Sequence, residues 1–448
     1  MNSPFAQIPE LANLNSFQNL VRIPNEQNVP FSDRIREVVD TPEYQRLGQI
    51  SQLGLVARVY PGARHTRLEH SLGVYHNALR YLQQLQNDPR FVERVTPREA
   101  ERLILAALLH DVGHWPFCHP IEDLGLWGIS HHEQQAAEFL QPGSPLANVL
   151  ERHWGIAGEE VRSLIDDLFK KPSNRLIKSI LSGPIDVDKM DYLERDSLHC
   201  GVPYGRNFDK QRLIQSLVTN QAGDGLAITS KGKTAAELMV FARYVMFSEV
   251  YWHHTVRAVT SMFARAFFEL RDRLDMATLF RSTDAEMSMS LRNAAKNHPV
   301  EKILDSVFGV HREFYKCAAE FSFDPQEAGQ EKNSVYHQLA RRTYTDLVDV
   351  SRRLSERLSK ALQKTIAEVE VLIDAPPPHR EVEFKIDVAL PKEGRYRPLT
   401  EVSPVVQALA KNQFDDWVKR VRLFVSPQFA SEVAGLASLN DFILDAAR

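Results

Sequence analysis

The chain reads as mainly α, with a long helical body and a smaller C-terminal lobe of mixed α and β character. Apolar residues recur at helical spacing over long stretches, whereas strand-like alternation is confined to a few short runs. A Pro-rich break, APPPHR at 375–380, separates body from lobe. In the body, Leu103, Ala106, Ala107 and His110 share one side of a helix over 98–110, with Pro97 at its start. Residues 176–198, 234–272 and 333–370 carry the same pattern. Leu217–Thr229 predicts a hairpin around the turn QAGDG, and Glu381–Ala389 and Arg420–Val425 predict short strands.

The 448 residues are enough for two or three domains. With 54 basic and 58 acidic residues, the net charge is -4, which does not fit an obligate polyanion coat. Three cysteines, Cys118, Cys200 and Cys317, are too few for a disulfide framework and point to a reducing compartment. The first residues, MNSPFAQIPELANL, have neither a basic nor an apolar leader region, and the longest apolar run, Leu103–Leu109, is too short to span a bilayer. A cytoplasmic, soluble protein is expected.

Of 16 histidines, eight fall between positions 65 and 132: His65, His70, His76, His110, His114, His119, His131 and His132. Imidazole is the commonest neutral metal ligand and a natural proton shuttle near neutral pH. Neighbours on a regular helix point about 100° apart, so His110 and Asp111 can share a partner only at a helix end, which Gly113 would supply. A divalent metal would satisfy a carboxylate buried there. A lone His-Asp pair is better explained as a capped helix end with a satisfied histidine. Further features point to chemistry: His70 opens a separate helix, His114 and His119 follow the doublet, and Asp188, Tyr192 and Asp196 recur every four residues along one helical face. Two histidines and two aspartates make a mixed nitrogen and oxygen site suited to Mn, Fe, Zn or Mg. Thr66-x-x-Glu69 and Ser130-x-x-Glu133 both match capping boxes; that accounts for Glu69, while Glu133, next to His131 and His132, is also a candidate acid or base.

The strings TPEYQRLGQISQLG, YPGARHTRLEHSLGV, LLHDVGHWPFCH, HHEQ and IDVDKMDYLERDSLHCGV resemble the HD-domain deoxynucleoside triphosphate triphosphohydrolases, a family that includes the sterile-α-motif and HD-domain enzymes and bacterial counterparts. Similarity runs from about residue 40 to 210 and returns weakly in PLTEVSPVVQALAKNQFDDWVKRVRLFV, with no room for a sterile-α-motif domain before the core. The resemblance implies an N-terminal segment at 1–39, a helical HD phosphohydrolase core at 40–275, a helical region at 276–374 and an α+β lobe at 375–448. It implies hydrolysis of a (deoxy)nucleoside triphosphate at the α-phosphorus, giving nucleoside and triphosphate, in a homo-oligomeric enzyme, dimer or tetramer. Position by position it implies His70, His110, Asp111 and Asp188 as ligands of one divalent metal, with a further Mg accompanying the nucleotide. Arg67 and Lys189 match phosphate contacts, and His114, His119, His132 and Glu133 match residues around the scissile bond. Glu122 stands where the family has the aspartate partner of the acid histidine. Gln52, Leu53, Tyr192 and Asp196 match sugar contacts, and His254 matches a family histidine.

The match breaks in several places. Val250 and Ala258 replace a phosphate-contacting arginine and a sugar-stacking tyrosine, leaving Arg257 as the replacement charge and ribonucleotides open as substrates. Asp40 and Gln45 match residues that read a guanine effector, but Gly48 replaces an arginine there and RIPNEQN at 22–28 replaces the effector-binding segment. Activation by a guanine nucleotide is therefore not expected in its familiar form. Arg353, Arg357, Lys360 and Lys364 form a basic stripe, read as a solvated face beside Leu354, Leu358 and Leu362; the alternative is an oligomer interface or a groove for a polyanion such as nucleic acid. The competing functions are an HD-type nucleotide phosphodiesterase or 5′-nucleotidase, and a silent nucleotide- or nucleic-acid-binding regulator. The non-ligand histidines disfavour the regulator, because a binding module needs no proton donor.

Overall fold

A computed structural model describes residues 4–16, 18–166, 175–327, 334–377, 385–411 and 414–448. The fold is mainly α with a few small sheets, and its apolar residues gather in three cores. The first forms around the helices Arg67–Leu85 and Pro97–Leu109. Thr66 caps the first of these through the Glu69 amide. A full Thr96/Glu99 capping box with Pro97 at the first position starts the second, and Leu103–Leu109 lie entirely inside. The helix Lys189–Cys200 and the hairpin Leu20–Ile23/Glu26–Pro30 pack against Arg67–Leu85.

The hairpin expected around QAGDG pairs Leu217–Thr219 antiparallel with Leu226–Thr229. That second strand runs parallel to Asp387–Leu390, which pairs with Arg395–Pro398. The expected strand 381–389 is thus shorter, and residues 381–384 lie outside the described residues, as do 378–380 of APPPHR. Arg420–Val425 appears as Val421–Val425, the centre of a three-stranded sheet between Lys316–Phe321 and Val371–Asp374. The C-terminal stretch, expected as one lobe, is divided: Ile386, Val388, Leu399 and Val406 join the first core, whereas Val421, Leu423 and Val425 join the third.

Three long helices of the sequence reading are each broken by a local cause. The stretch 176–198 becomes Arg175–Leu181 and Lys189–Cys200, because Ser182-Gly183-Pro184 ends the first and Asp186 accepts hydrogen bonds from the Gly183 and Lys189 amides. The stretch 234–272 breaks at Trp252-His253, where His253 caps His254–Leu270 after Lys233–Met246. The stretch 333–370 (residue 333 is outside the described set) becomes Val335–Leu339 and Tyr344–Leu362, restarted by Thr343 after Arg341 takes a left-handed conformation. The basic stripe along Tyr344–Leu362 and just past it is an exposed face beside buried Leu354 and Leu358, as expected: Arg353 donates to the Ala446 carbonyl, Arg357 pairs with Asp445 and Lys364 with Glu432 at the surface. Among the described residues, no helix is long and apolar enough to cross a membrane.

Segment 22–28 forms the hairpin turn, with Asn25 left-handed and Glu26 buried against Lys210 (2.8 Å) and His76 (3.1 Å). Burial alone would raise the Glu26 carboxyl, but His76 and Lys210 outweigh it and hold it at about 2, against an ordinary 4.5. The folded state therefore carries this stabilisation above the ordinary value and loses it as pH falls from about 4.5 toward about 2. Glu26→Gln should cost about 2 kcal/mol at neutral pH and flatten the acid limb of a stability-versus-pH curve; an unchanged limb would show that the ion pair contributes nothing.

Candidate active site

The helix Arg67–Leu85 presents His70 one turn from its start, and Pro97–Leu109 delivers His110 and Asp111 just past its last residue. Gly113 is needed there for close approach, not as the terminating residue: a Cβ would lie 2.1 Å from the His132 carbonyl oxygen. Arg46 fastens the turn by donating to the Val112 and His114 carbonyls. Asp188 arrives on the turn before Lys189–Cys200, tied to the His70 helix by Asn77 to the Val187 carbonyl and Tyr81 to the Ile185 carbonyl.

These elements bring His70 Nε2 within 3.2 Å of His110 Nε2 and 3.0 Å of Asp188 Oδ1. Asp111 Oδ1 lies 3.3 Å from His110 Nε2, and its Oδ2 lies 4.0 Å from His70 Nε2. His70 Nδ1 lies 2.8 Å from Asp191, and His110 Nδ1 lies 2.9 Å from the Ala107 carbonyl oxygen. Each Nδ1 faces an acceptor that can hold the ring proton, so both Nε2 atoms can be turned to a shared ion, the arrangement that metal-bound histidines use. Burial would lower His70, yet Asp188, Asp191 and Asp111 outweigh it and lift it to about 10. The surrounding carboxylates thus call for a cation at this point. His70, His110 and Asp188 form a group able to hold a metal ion.

Asp111 links this group to a second one. Its Oδ2 accepts from Arg67 at 2.8 Å, and its Oδ1 lies 3.0 Å from His114 Nδ1. The His114 ring packs at a tilt of 33° against His132, with centroids 3.6 Å apart. Phe117 takes a left-handed conformation (φ 53°) packed on Gly54, which turns the chain so that the Cys118–Glu122 helix aims His119 back at His114. One carboxylate, Glu122, holds both remaining rings: Oε2 lies 3.2 Å from His119 Nδ1, and Oε1 lies 2.9 Å from His132 Nδ1. Burial would raise Glu122, but His119 and His132 hold it far below the carboxylate range. In turn, burial would lower His119, and Glu122 raises it above the ordinary histidine value. Burial and Arg67 push His114 well down, so it stays neutral. Glu133 is not used as a cap: Ser130 Oγ accepts from Gln135, and Glu133 Oε1 sits 3.4 Å from His132 Nε2. Glu69 fills only half of its expected capping box, its carboxylate pairing with Arg195 and His199.

Other candidates lie in different surroundings. Gln52 and Leu53 sit in a strand-like strap against 65–67, with the Gln52 amide donating to the His65 carbonyl and Arg67 to Ile50. Lys189 Nζ donates to Asp186 at 2.6 Å. Tyr192 is half-buried on the face of Asp188 and Asp196. Asp196 is buried, with Oδ1 2.8 Å from His65 Nε2 and Oδ2 accepting from Tyr251. His254 is exposed and, with Arg58, Ala258, Arg312 and Lys316, lines a separate cavity of about 410 Å³. Arg257, the expected replacement charge, gives its Nε and Nη2 to Asp374 at 3.0 and 2.6 Å.

Several residues escaped the sequence reading: Asp191, Arg195, Asp186, Arg46, His65 and Tyr251. Asp191 and Arg195 carried a readable signal, since opposite charges four apart on a helix form a pair.

The HD domain family matches residues 67–196, and the HD associated region family matches 208–442. The chain belongs to this family of HD-domain proteins and is an HD-domain phosphohydrolase. It is similar to an uncharacterized protein of Methanocaldococcus jannaschii, 29% identical over 89% of this chain and 77% of the relative. It is also similar to the deoxynucleoside triphosphate triphosphohydrolase SAMHD1 of Gallus gallus, 30% identical over 59% of this chain and 48% of the relative, and to its Dictyostelium discoideum homolog, 31% identical over 53% and 46%. The chain thus spans about half the length of these triphosphohydrolases. In fold it matches a hypothetical protein from Aquifex aeolicus (TM-score 0.68, 24% identity, 91% of this chain and 96% of that one) and a phosphohydrolase from Bacteroides thetaiotaomicron (0.64, 24%, 89% and 96%).

The backbone at Gly73 approaches Asp191 so closely that a Cβ would lie 1.9 Å from its Oδ1 and 2.5 Å from an Arg195 nitrogen. Gly73→Ala should therefore push the two helices apart, costing about 3 kcal/mol by thermal melting and weakening metal binding about 10- to 100-fold by equilibrium dialysis. Undiminished metal affinity would detach the Asp191–His70 contact from the metal group.

Proposed function

We propose that this chain hydrolyses (deoxy)nucleoside triphosphates to nucleoside and triphosphate. The observation that carries the reading is the junction of two groups through Asp111 and His114: a cation-seeking cluster on one side, a Glu122-anchored histidine pair on the other. Similarity to named triphosphohydrolases supports it. His70, His110, Asp111 and Asp188 would hold one divalent metal, Mn, Fe, Zn or Mg. Such an ion supplies Lewis acidity and a water of lowered pKa.

The chain's own residues do the rest. Arg67 uses Nη1 on Asp111, and its buried Nε has no partner among the described residues, so it can donate to a phosphate oxygen. A water oxygen bonds to the α-phosphorus, the bond from phosphorus to the 5′-oxygen breaks, and the departing oxygen takes a proton from His119, kept protonated by Glu122. His132, packed against His114 and fixed by the same carboxylate, orients that donor; Glu133 stands beside it. Gln52, Leu53, Tyr192 and Asp196 would border the sugar, with Asp196 acting through its held position against His65 and Tyr251. A homo-oligomer in the cytoplasm and nucleotide-borne Mg complete the reading.

One observation favours a second reading, a phosphodiesterase or 5′-nucleotidase. Lys189 and Arg257 are engaged by Asp186 and Asp374, which leaves less positive charge for a triphosphate. A product assay with all dNTPs and NTPs under Mg, Mn and Fe separates them: nucleoside plus tripolyphosphate is expected, and monophosphate or orthophosphate would support the second reading. His119→Ala should keep the ion held by His70, His110 and Asp188 and lower kcat by about 10²- to 10⁴-fold. Because Glu122 raises His119, Glu122→Gln should shift the alkaline limb of the kcat/KM profile to lower pH; a limb that stays put would remove His119 as the acid.

A further inference from the structure

The histidine pair belongs to a tighter cluster than proton transfer requires. One nitrogen each of His114, His119 and His132 and the sulfur of Cys118 all lie within 4.8 Å of one another. Four donors around a zinc ion, with bonds of about 2.0 Å to nitrogen and 2.3 Å to sulfur, stand roughly 3.3–3.8 Å apart in a tetrahedron. Closing the cluster needs about 1 Å of movement, which His119 can make because its side chain is 62% exposed. Three further features suit a metal. Glu122 takes the Nδ1 of both His119 and His132 at 3.2 and 2.9 Å, which leaves each Nε2 as the atom to offer an ion, that of His132 lying 3.4 Å from Glu133 Oε1. His114 is 3% exposed, and its Nε2, across the ring from Asp111, has no hydrogen-bond partner among the described residues. Cys118 is buried and free, beside these rings.

We propose that His114, Cys118, His119 and His132 form a second metal site, selective for a thiophilic ion such as Zn²⁺, and that its occupation switches the enzyme off. Three imidazoles and one thiolate give a soft donor set, unlike the nitrogen and oxygen set at His70, His110 and Asp188. The two donor sets therefore differ in softness, and only the second includes a thiolate. An ion here takes the Nε2 lone pair of His119, the atom that must carry the transferred proton, so metal and proton exclude each other. The inference rests on His119 acting as donor for its regulatory half only; the site stands on geometry whatever the substrate.

The thiolate makes the site separately observable, because the first group contains no sulfur. The full-length protein is loaded with one equivalent of Mn²⁺ and titrated with Co²⁺. A second bound ion and a thiolate-to-cobalt charge-transfer band in the near ultraviolet are expected. In Cys118→Ser the band should vanish and the second ion should bind about 100-fold more weakly. That variant should keep its Mn²⁺-supported rate while the zinc concentration for half-inhibition rises by the same factor. Cys118→Ala, compared by thermal melting, guards against a folding defect at this buried position, and the wild-type cobalt spectrum needs no variant. A wild-type protein with one ion per chain, or with two ions and no sulfur band, overturns the site. Zinc sensitivity unchanged in Cys118→Ser overturns the switch. Failure of triphosphate hydrolysis with the sulfur band present would instead count against the substrate reading alone.

Discussion

The contact on which the site depends is the crossing of the helices Arg67–Leu85 and Lys189–Cys200 at Gly73. The missing side chain there lets Asp191 reach His70 Nδ1 while Arg195 grips both Asp191 oxygens, each at 2.7 Å. A buried Arg–Asp pair is costly to dehydrate and is sustained only with its remaining hydrogen bonds met. Here they are met: Arg195 also donates to Glu69 and to the Pro24 carbonyl, drawing the N-terminal hairpin into the same network. One apposition therefore sets the tautomer of His70, the height of Asp188 and the seat of the hairpin.

Charge is distributed to keep two neighbouring groups in opposite states. Around His70 the carboxylates outnumber what the nearby cations can satisfy, so a positive charge is held at that point. Four residues after His110, His114 stays neutral between Arg67 and its own burial. Beyond it, Glu122 faces two imidazoles and keeps a mobile proton available at the exposed His119. Asp111 can serve both sides because its two oxygens point to different partners, Arg67 and His114.

The helical class and the convergence of His70, His110 and Asp188 were legible in the sequence because each rested on a strong local signal: a cap, an apolar run, a period of four. What was not legible depended on tertiary contact. The helix breaks at 182–188 and 252–253 arise from side chains accepting backbone amides, which periodicity does not report. Gly113 looked like a helix terminator and proved to be a packing glycine, a role visible only once His132–Leu140 lies against it. Asp191 was readable as a partner for Arg195 but not for His70, since 121 residues separate the latter two.

Arg257 lies on the helix that also carries Ala258 and His254, and Asp374 of the three-stranded sheet holds it at 2.6 Å under Trp252. That ion pair fixes the His254–Leu270 helix to the second and third cores rather than to a ligand. Val250 is buried and Ala258 borders an open cavity, so neither position supplies the expected guanidinium or phenol; the guanidinium groups lining that cavity are those of Arg58 and Arg312. Under the proposed function, discrimination against a 2′-hydroxyl would fall to the Gln52-Leu53 strap and Tyr192. Selectivity exerted from there depends on shape, and shape set by packed backbone rejects a small polar addition less sharply than a stacked ring would.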